Sequence, residues 1–419
     1  MFPSFRTRHA AQLALTANAL RPLRGSWISL PAFASGWLTA ELAPQLLALT
    51  AADAAAHIAR RGKTDRVGLA LACLSAAGLA ALATSAQRAR HEVEAALTET
   101  LGEDYLETLP EPPLPADLAT PWQQLVMPFR MRDPEVERAR DIAYAPGGRR
   151  FTLDIYRPRT PDTSEGDLPV LLQIHGGAWV VGSKNDQGIP LMLHMARRGW
   201  VCVSVNYPLS PKASWPEHIV AVKRALAWIR GNIAEHGGDP SFVAATGGSA
   251  GGHLSALLAL TPNDPAWQPG FEDADTSVQA CVPFYGAYDF AAQTESKAAK
   301  IMQRAVLERY VVRQDPRQSR DVYVAASPLS RITDAAPPFF VIHGKHDSLI
   351  PVADAREFVH RLRETSTQPV AYAEISGAQH AFDIFPSIRS AHVVRGVQRF
   401  LEWTYARRVR PEVRRAVLP

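Results

Sequence analysis

The chain has only three cysteines in 419 residues, Cys73, Cys202 and Cys281, and they are scattered and odd in number. This excludes a disulfide framework of the kind that holds small secreted domains together. The sequence also lacks Cys-x-x-Cys and His-Glu-x-x-His motifs, a P-loop, and a Gly-x-Gly-x-x-Gly turn between a strand and a helix. It therefore predicts neither a metal nor a nucleotide cofactor, and side chains and backbone must perform any chemistry.

Charge of one sign is not in large excess either. The chain has 45 Lys+Arg against 41 Asp+Glu, a formal net charge of +4. Without a basic surface interleaved with aromatic residues, or a known nucleic-acid-binding fold, no nucleic-acid partner is expected. The C-terminal tail is basic, and either solvent or anionic lipid would suit it; its arginines are Arg407, Arg408, Arg410, Arg414 and Arg415.

The most informative segment is residues 247–252, Gly-Gly-Ser-Ala-Gly-Gly, which contains a Gly-x-Ser-x-Gly motif. It follows the β-prone run 242–246 and precedes the helical pattern 253–260, so it lies at a sharp strand-to-helix turn. In such a turn the serine backbone is strained, and the glycines of the motif must lack a Cβ to avoid collision. We predict that Ser249 is a nucleophile; a glycine-rich turn that merely starts a helix is the alternative.

A nucleophilic serine needs a base and a group that orients the base. In strand-turn-helix sites of this kind they follow in the order Ser, Asp or Glu, His. Asp347 follows the apolar run 338–343, and His380 follows the run 370–375. Both are therefore predicted at the carboxyl ends of strands, where α/β sheets build their sites. We predict Asp347 as the acid and His380 as the base.

Other residues compete for these roles. Asp289, after the strand predicted at 277–284, is the alternative acid. Four further histidines are better suited to core, local or solvated positions: His253, His343, His346 and His360.

Residues 175–179, His-Gly-Gly-Ala-Trp, follow the strand predicted at 170–174. Glycines there let main-chain N–H groups approach a substrate oxygen closely. Together with the N–H of Ala250, those of Gly176 and Gly177 would form an oxyanion hole, whereas His175 is expected to be structural. A hairpin or helix-start loop is the alternative.

Several of these motifs together are recognisable. They resemble the α/β-hydrolase fold, and specifically the hormone-sensitive-lipase-like branch of bacterial carboxylesterases and lipases. The resemblance covers about residues 140–405 and is more specific for fold and mechanism than for substrate. It implies Ser249, Asp347 and His380 as the triad and Gly176, Gly177 and Ala250 as oxyanion donors. The segments that carry it are 175–179, 206–211 (Asn-Tyr-Pro-Leu-Ser-Pro), 247–252, 343–347 (His-Gly-Lys-His-Asp) and the loop around His380.

Two positions depart from that branch. Ala178 stands where a third glycine is usual, and its Cβ is expected to narrow the pocket, so esters of tertiary alcohols are not expected as substrates. Gly248 stands where an aspartate often precedes the serine. This second departure keeps the related arylformamidase-like amide hydrolases as an alternative.

From about residue 141 onward, strand-like and helical segments alternate. This alternation predicts the α/β class, with a mostly parallel twisted sheet and helices on both faces. Charged helical sequence at 289–337 breaks the rhythm and is predicted to form a cap or lid insertion. Its apolar residues, which either line an acyl site or simply pack, are Ile301, Met302, Val306 and Leu307. The predicted strands are 150–156, 170–174, 201–206, 242–246, 277–284, 339–343 and 370–375, and a helix is predicted over 217–234.

The first hundred residues are different. Residues 67–87 carry no charge, and residues 27–52 are apolar apart from Glu41. About 20 apolar residues are enough to cross a bilayer, so we predict a membrane hairpin and a membrane-associated protein. Because the runs are rich in alanine and glycine, a buried helical pair is the alternative. The flanking basic residues, which suit lipid headgroups, are Arg21, Arg24, Arg60, Arg61, Lys63 and Arg66.

These observations divide the chain into an N-terminal apolar helical region (1–104), a linker or cap (105–140) and a catalytic domain (141–419). The predicted function is a serine carboxylic-ester hydrolase that acts on a small-molecule or lipid ester through an acyl-enzyme. The alternatives are an arylformamidase-like amide hydrolase and a catalytically silent hydrolase fold that binds a partner at the membrane. A further alternative is that the acyl group is transferred from the serine to an acceptor other than water.

Overall fold

The computed structural model describes residues 3–23, 29–61, 65–109, 111–160 and 167–409. In this part of the chain the sheet has eight strands in the order β1-β2-β4-β3-β5-β6-β7-β8. Strands β3 to β8 run parallel, while β2 pairs antiparallel with both β1 and β4. The strands are β1 Val136–Ala143, β2 Thr152–Pro158, β3 Leu168–Ile174, β4 Val201–Val205, β5 Gly238–Gly248, β6 Ala280–Phe284, β7 Phe339–Gly344 and β8 Val370–Ile375.

Helices precede the sheet and then alternate with its strands. A π-helix, Gln303–Val311, continues directly from the helix Lys297–Met302. The helices are α1 Phe5–Leu20, α2 Ser29–Glu41, α3 Ala43–Arg61, α4 Arg66–Leu101, α5 Pro115–Leu118, α6 Trp122–Leu125, α7 Ile189–Arg197, α8 Glu217–Asn232, α9 Ala250–Leu260, α10 Lys297–Met302, α11 Arg320–Ala325, α12 Val352–Thr365 and α13 Ile388–Val409.

The central strands are apolar on both faces because helices cover both faces. On β3, Leu172 joins one core with residues of α8, α9 and α12, whereas its neighbour Leu171 joins a second core with residues of α7, α13 and α4. This arrangement confirms the predicted fold class.

Strand β1 was missed by the sequence analysis, which placed the start of the catalytic domain at residue 141, inside this strand. Its sequence, Val-Glu-Arg-Ala-Arg-Asp-Ile-Ala, is largely charged because β1 lies at the edge of the sheet and buries little of its surface. Charged residues are common on edge strands, where they discourage pairing with other chains. Periodicity alone therefore gave no strand signal here.

Helix α4 is 36 residues long, and its two halves pack in different parts of the protein. Its first half packs with α1, α2 and α3 around a small core of Ala19, Ala40, Ala43, Leu79 and Leu82. Its second half places Val93 and Leu97 in the same core as residues of β8 and α13. The four N-terminal helices, called here the N-terminal lobe (residues 3–101), are thus joined to the sheet by a continuous helix.

Residues 289–337, which were predicted to form a cap or lid, contain α10, the π-helix and α11. Leu307 is buried in the core, Met302 and Val306 pack against it, and Ile301 is exposed. Three of the four apolar residues therefore serve packing.

The contact between α4 and α13 can be tested at Gly396. A Cβ there would lie 2.1 Å from Val93 Cγ1, so Gly396→Ala is expected to destabilise the fold by about 1–3 kcal/mol despite the better helix propensity of alanine. The control is Gly231→Ala in α8, where a Cβ meets open space and stability should rise slightly. Urea unfolding of both variants measures the difference; equal or higher stability of Gly396→Ala would contradict tight packing of α4 on α13.

Candidate active site

Ser249 lies at the turn between β5 and α9 with φ 58° and ψ −118°, a strained conformation for a residue with a side chain. The neighbouring glycines allow it. A Cβ on Gly251 would lie 2.0 Å from Ile174 O, and one on Gly247 would lie 2.4 Å from the same oxygen. Ser249 is half-buried, and its hydroxyl makes no hydrogen bond to any other described residue. The hydroxyl is therefore available to a ligand.

Asp347 and His380 lie on the loops that follow the adjacent strands β7 and β8. His380 Nδ1 is 2.6 Å from Asp347 Oδ2, and both residues are buried. The other carboxylate oxygen, Oδ1, accepts the N–H groups of Leu349 and Ile350, each at 2.8 Å. This places the carboxylate in a fixed orientation toward one imidazole nitrogen.

The electrostatics keep Asp347 ionised. Burial alone would raise the pKa of Asp347, but His380 and His343, through charge and hydrogen bonds, hold that pKa well below its ordinary range. His343 Nε2 lies 3.3 Å from Asp347 Oδ2 and 2.9 Å from Ile350 O. His343 is thus a core residue, as predicted from its place in a strand, and in addition a second partner of the carboxylate.

Tyr285 links His380 to the serine turn. Its ring centroid is 4.5 Å from that of His380, and the preceding residue, Phe284, accepts the Ser249 N–H at 3.0 Å. A Cβ on Gly248 would lie 2.7 Å from the Tyr285 hydroxyl oxygen. The missing side chain before the serine therefore leaves the space that Tyr285 occupies.

The Tyr285 hydroxyl donates a hydrogen bond to Asp383, three residues after His380. Sequence reasoning missed both residues. The only sequence signal for Tyr285 was indirect, namely Gly248 at a position where related motifs often have an aspartate.

The competing residues are engaged elsewhere. Asp289 accepts the N–H groups of Gln293 and Thr294, each at 2.9 Å, and the Thr294 hydroxyl at 2.7 Å, so it closes a turn. His360 is exposed beside Glu364. His253 Nε2 lies 2.8 Å from Ala326 O, and burial lowers its pKa to about 3. Such a histidine stays neutral and packs beside the serine turn.

The loop after β3 approaches Ser249 closely. A Cβ on Gly176 would lie 3.1 Å from Ser249 Cβ, and Gly177 has φ 112°, which favours glycine. Ala250 is the first residue of α9, so its N–H has no helical acceptor. The N–H of Gly176, however, donates to Gln187 Oε1 at 2.7 Å. Gln187 is a further residue that the sequence did not reveal.

His175 is held by this loop rather than aimed at Ser249. Its Nδ1 lies 2.7 Å from Gly176 O and its ring stacks on Tyr207 at 4.4 Å. Burial lowers its pKa to about 4, which leaves it neutral near pH 7.

One side of His380 faces aromatic residues from outside the sheet. Phe33 of α2 lies 5.8 Å from the His380 ring, and Trp37 lies 5.9 Å from Phe33. Trp37 is 5.5 Å from Phe385, which in turn is 5.1 Å from the exposed Phe129. This aromatic row gives the surroundings of the imidazole an apolar side that comes partly from the N-terminal lobe.

Known proteins resemble this chain in sequence and in fold. The family model described as BD-FAE matches residues 153–362. The chain is 46% identical to "Probable carboxylic ester hydrolase LipM" of Mycobacterium tuberculosis, over 95% of this chain and 92% of that protein. It is 40% identical to "Esterase LipQ" of the same organism, over 96% and 92%. A solved structure, "Truncated form of carbohydrate esterase from gut microbiota", shares the fold with a TM-score of 0.54 at 23% identity, covering 64% of this chain and 96% of that one.

Because Tyr285 donates a hydrogen bond to Asp383, we predict that Tyr285→Phe lowers the free energy of unfolding, and that the decrease depends on pH. Burial raises the pKa of Asp383 and the Tyr285 hydroxyl opposes this rise, so its removal raises that pKa further. A carboxyl whose pKa is higher in the folded than in the unfolded state destabilises the fold as pH rises, because the unfolded state ionises first. Below the pKa of an unfolded aspartate, about 3.9, the carboxyl is protonated in both states and the effect vanishes. We expect urea unfolding to show a free energy of unfolding lower by about 1–2 kcal/mol at pH 8, and a smaller decrease at pH 4.

The control is Tyr323→Phe, which removes a 2.7 Å hydrogen bond to a neutral carbonyl, that of Gln314. Its loss should be the same at both pH values. Equal losses at pH 4 and pH 8 for Tyr285→Phe would refute the coupling to Asp383.

Proposed function

Because this chain belongs to the hormone-sensitive-lipase-like carboxylic ester hydrolases of the α/β-hydrolase fold, we propose that it cleaves esters through Ser249, His380 and Asp347 and a covalent acyl-enzyme. The proposal is carried by the strained Ser249, whose hydroxyl has no hydrogen bond among the described residues, and by the buried His380–Asp347 pair, which Tyr285 links to the serine turn. The hydrolase activity is that of the family; the assignment of residues is the proposal.

In the first half-reaction the Ser249 hydroxyl oxygen attacks the ester carbonyl carbon while His380 Nε2 takes its proton. Asp347 accepts the Nδ1–H of His380 and stabilises the imidazolium that forms. His380 then gives the proton to the leaving alcohol, and the acyl group remains on Ser249. In the second half-reaction His380 activates water, which releases the acid and restores the serine.

The negative charge on the carbonyl oxygen needs donors that are already in place. The N–H groups of Gly177 and Ala250 are proposed for this role, each worth about 3 kcal/mol in the transition state. The N–H of Gly176 joins them only when Gln187 releases it, since Gln187 Oε1 accepts it at 2.7 Å. The start of α9 adds the positive end of a helix dipole.

The aromatic row beside His380 supports an ester with an apolar portion. Phe33 places carbon surface next to the imidazole, and Trp37 and Phe385 extend this surface away from it, so that an acyl chain or an apolar alcohol would be bound there without loss of polar contacts. Small-molecule and lipid esters both meet this requirement.

We also propose that residues 1–104 associate with a membrane, with 105–140 as the connection and 141–419 as the catalytic domain. Among the described helices, α4 is long and apolar enough to cross a bilayer, with a mean hydropathy of 2.0 over its most apolar window, of which 28% is buried. The bent pair of α2 and α3 would add a second candidate span. Of the basic flanking and tail residues, Arg24, Lys63, Arg410, Arg414 and Arg415 lie outside the described residues.

Ser249→Ala is expected to lower kcat by about 10⁴-fold or more toward a short p-nitrophenyl ester, because the attacking oxygen is removed. The matched control is Ser255→Ala, which removes a hydroxyl from α9 that bonds Gly252 O at 3.1 Å. This control should keep near wild-type turnover. Near-normal activity of the Ser249→Ala protein would end the assignment.

Membrane association can be tested by flotation with phospholipid vesicles. The full chain is expected to float, and Leu49→Glu/Leu74→Glu, at positions 65% and 58% exposed on the lobe, should stay with the soluble fraction. Hydrolysis of a soluble ester should be unchanged, since neither residue contacts the site. The control is Val181→Glu, which is 62% exposed on the catalytic domain. Equal flotation of the double variant would contradict the proposal.

A further inference from the structure

The loop that carries His380 spans residues 376–387, between β8 and α13. The N-terminal lobe holds its first residue. Ser376 donates its backbone N–H to Glu92 Oε2 at 2.9 Å and its hydroxyl to Glu92 Oε1. Glu92 lies on the second half of α4, so an element from the start of the chain sets the position at which this loop leaves the sheet.

A buried ion pair holds both ends of the same loop. Arg389 Nη1 donates to Glu41 Oε1 at 2.9 Å, and both side chains have 0% exposure. Arg389 Nε donates to Ser376 O at 3.0 Å, at the start of the loop. Ser387, at its end, donates its hydroxyl to Glu41 Oε2 at 2.7 Å.

The loop is shaped around this pair. A Cβ on Gly377, which has φ 67°, would lie 2.6 Å from Arg389 Nη2. Glu41 is the last residue of α2, the helix whose Phe33 packs near the His380 ring. The pair, the loop and the imidazole therefore form one packed unit.

Stability does not explain such a pair. Desolvation of two buried charges offsets most of their attraction, and apolar residues of similar volume often stabilise a protein equally well. In addition, Arg389 Nη2 has no hydrogen-bond partner among the described residues, so the pair is not fully compensated. What the charges provide, and an apolar pair cannot, is a set of directed hydrogen bonds to the two ends of the loop.

We propose that Glu41, Glu92 and Arg389 are positioning residues for His380, which makes the N-terminal lobe part of the catalytic unit rather than only an attachment. This inference rests on the proposed role of His380 as the base. The imidazole must reach Ser249 and Asp347 together, and a shift of about 1 Å in such a group can cost about 10²-fold in rate.

The test replaces the pair as a unit, with Glu41→Leu/Arg389→Met in the full chain. No unpaired charge remains, so the melting temperature should stay close to that of the wild type. We expect kcat toward a short p-nitrophenyl ester to fall about 10- to 100-fold while KM changes less than about 3-fold. Phosphonylation of Ser249 by a p-nitrophenyl phosphonate, which needs the same base, should slow by a similar factor.

A control ion pair exists on the same C-terminal helix, α13, but joins it to α4 instead of α2. Glu94 of α4 and Arg399 of α13 form an ion pair at 2.8 Å, with 36% and 6% exposure, and their side chains bond each other and Tyr105, not a described residue of the 376–387 loop. Glu94→Leu/Arg399→Met should leave kcat unchanged. An equal fall of kcat in both double variants would mean that general loosening of the helices packed on α13, not the loop, controls the rate, and would overturn the proposal.

Ser376→Ala keeps the inference testable if the Glu41/Arg389 variant fails to fold. It removes one hydroxyl whose partner is Glu92 and leaves both buried charges paired. We expect kcat to fall about 3- to 10-fold with the melting temperature unchanged. Wild-type kcat in this variant, or in a folded Glu41→Leu/Arg389→Met protein, refutes positioning. The proposed function is judged separately, by Ser249→Ala.

Discussion

The hydrogen bond between Asp347 and His380 is the interaction on which the rest of this site depends. It joins the loops after two adjacent parallel strands, β7 and β8, at 2.6 Å in a buried setting. An ionised carboxylate can be buried there only because two imidazoles and two backbone N–H groups surround it. That compensation fixes the direction of His380, and every other feature of the site is arranged around the imidazole.

Much of that arrangement comes from outside the sheet. Tyr285 packs against the imidazole and donates to Asp383, Phe33 approaches from α2, and the Glu41–Arg389 pair holds the loop ends. Helix α4 is the physical reason why the N-terminal lobe can do this: its second half packs in a core of the sheet while its first half packs with the other helices of the lobe. The N-terminal lobe, which we propose to be membrane-associated, therefore also contacts the loop that carries His380.

Prediction from sequence worked where a local pattern reflects a local requirement. The strands from 170–174 to 370–375 were found because buried parallel strands are continuously apolar, and they match β3 to β8 closely. The strained Ser249 was found because only glycines fit around it. Strand β1 was missed because an edge strand has little apolar surface to show, and Gln187 and Tyr285 were missed because their roles depend on contacts distant in sequence.

The sequence by itself determined the fold class, the order of the motifs and the serine turn, since each follows from short-range sterics or from the burial pattern of a single element. Only the tertiary structure decided which carboxylate meets His380, why Gly248 lacks a side chain, and how the first hundred residues contact the site. Each of these features depends on contacts between residues that are far apart along the chain, up to 348 positions for Glu41 and Arg389. No local pattern encodes such a distance, because it is set by the packing of the whole chain.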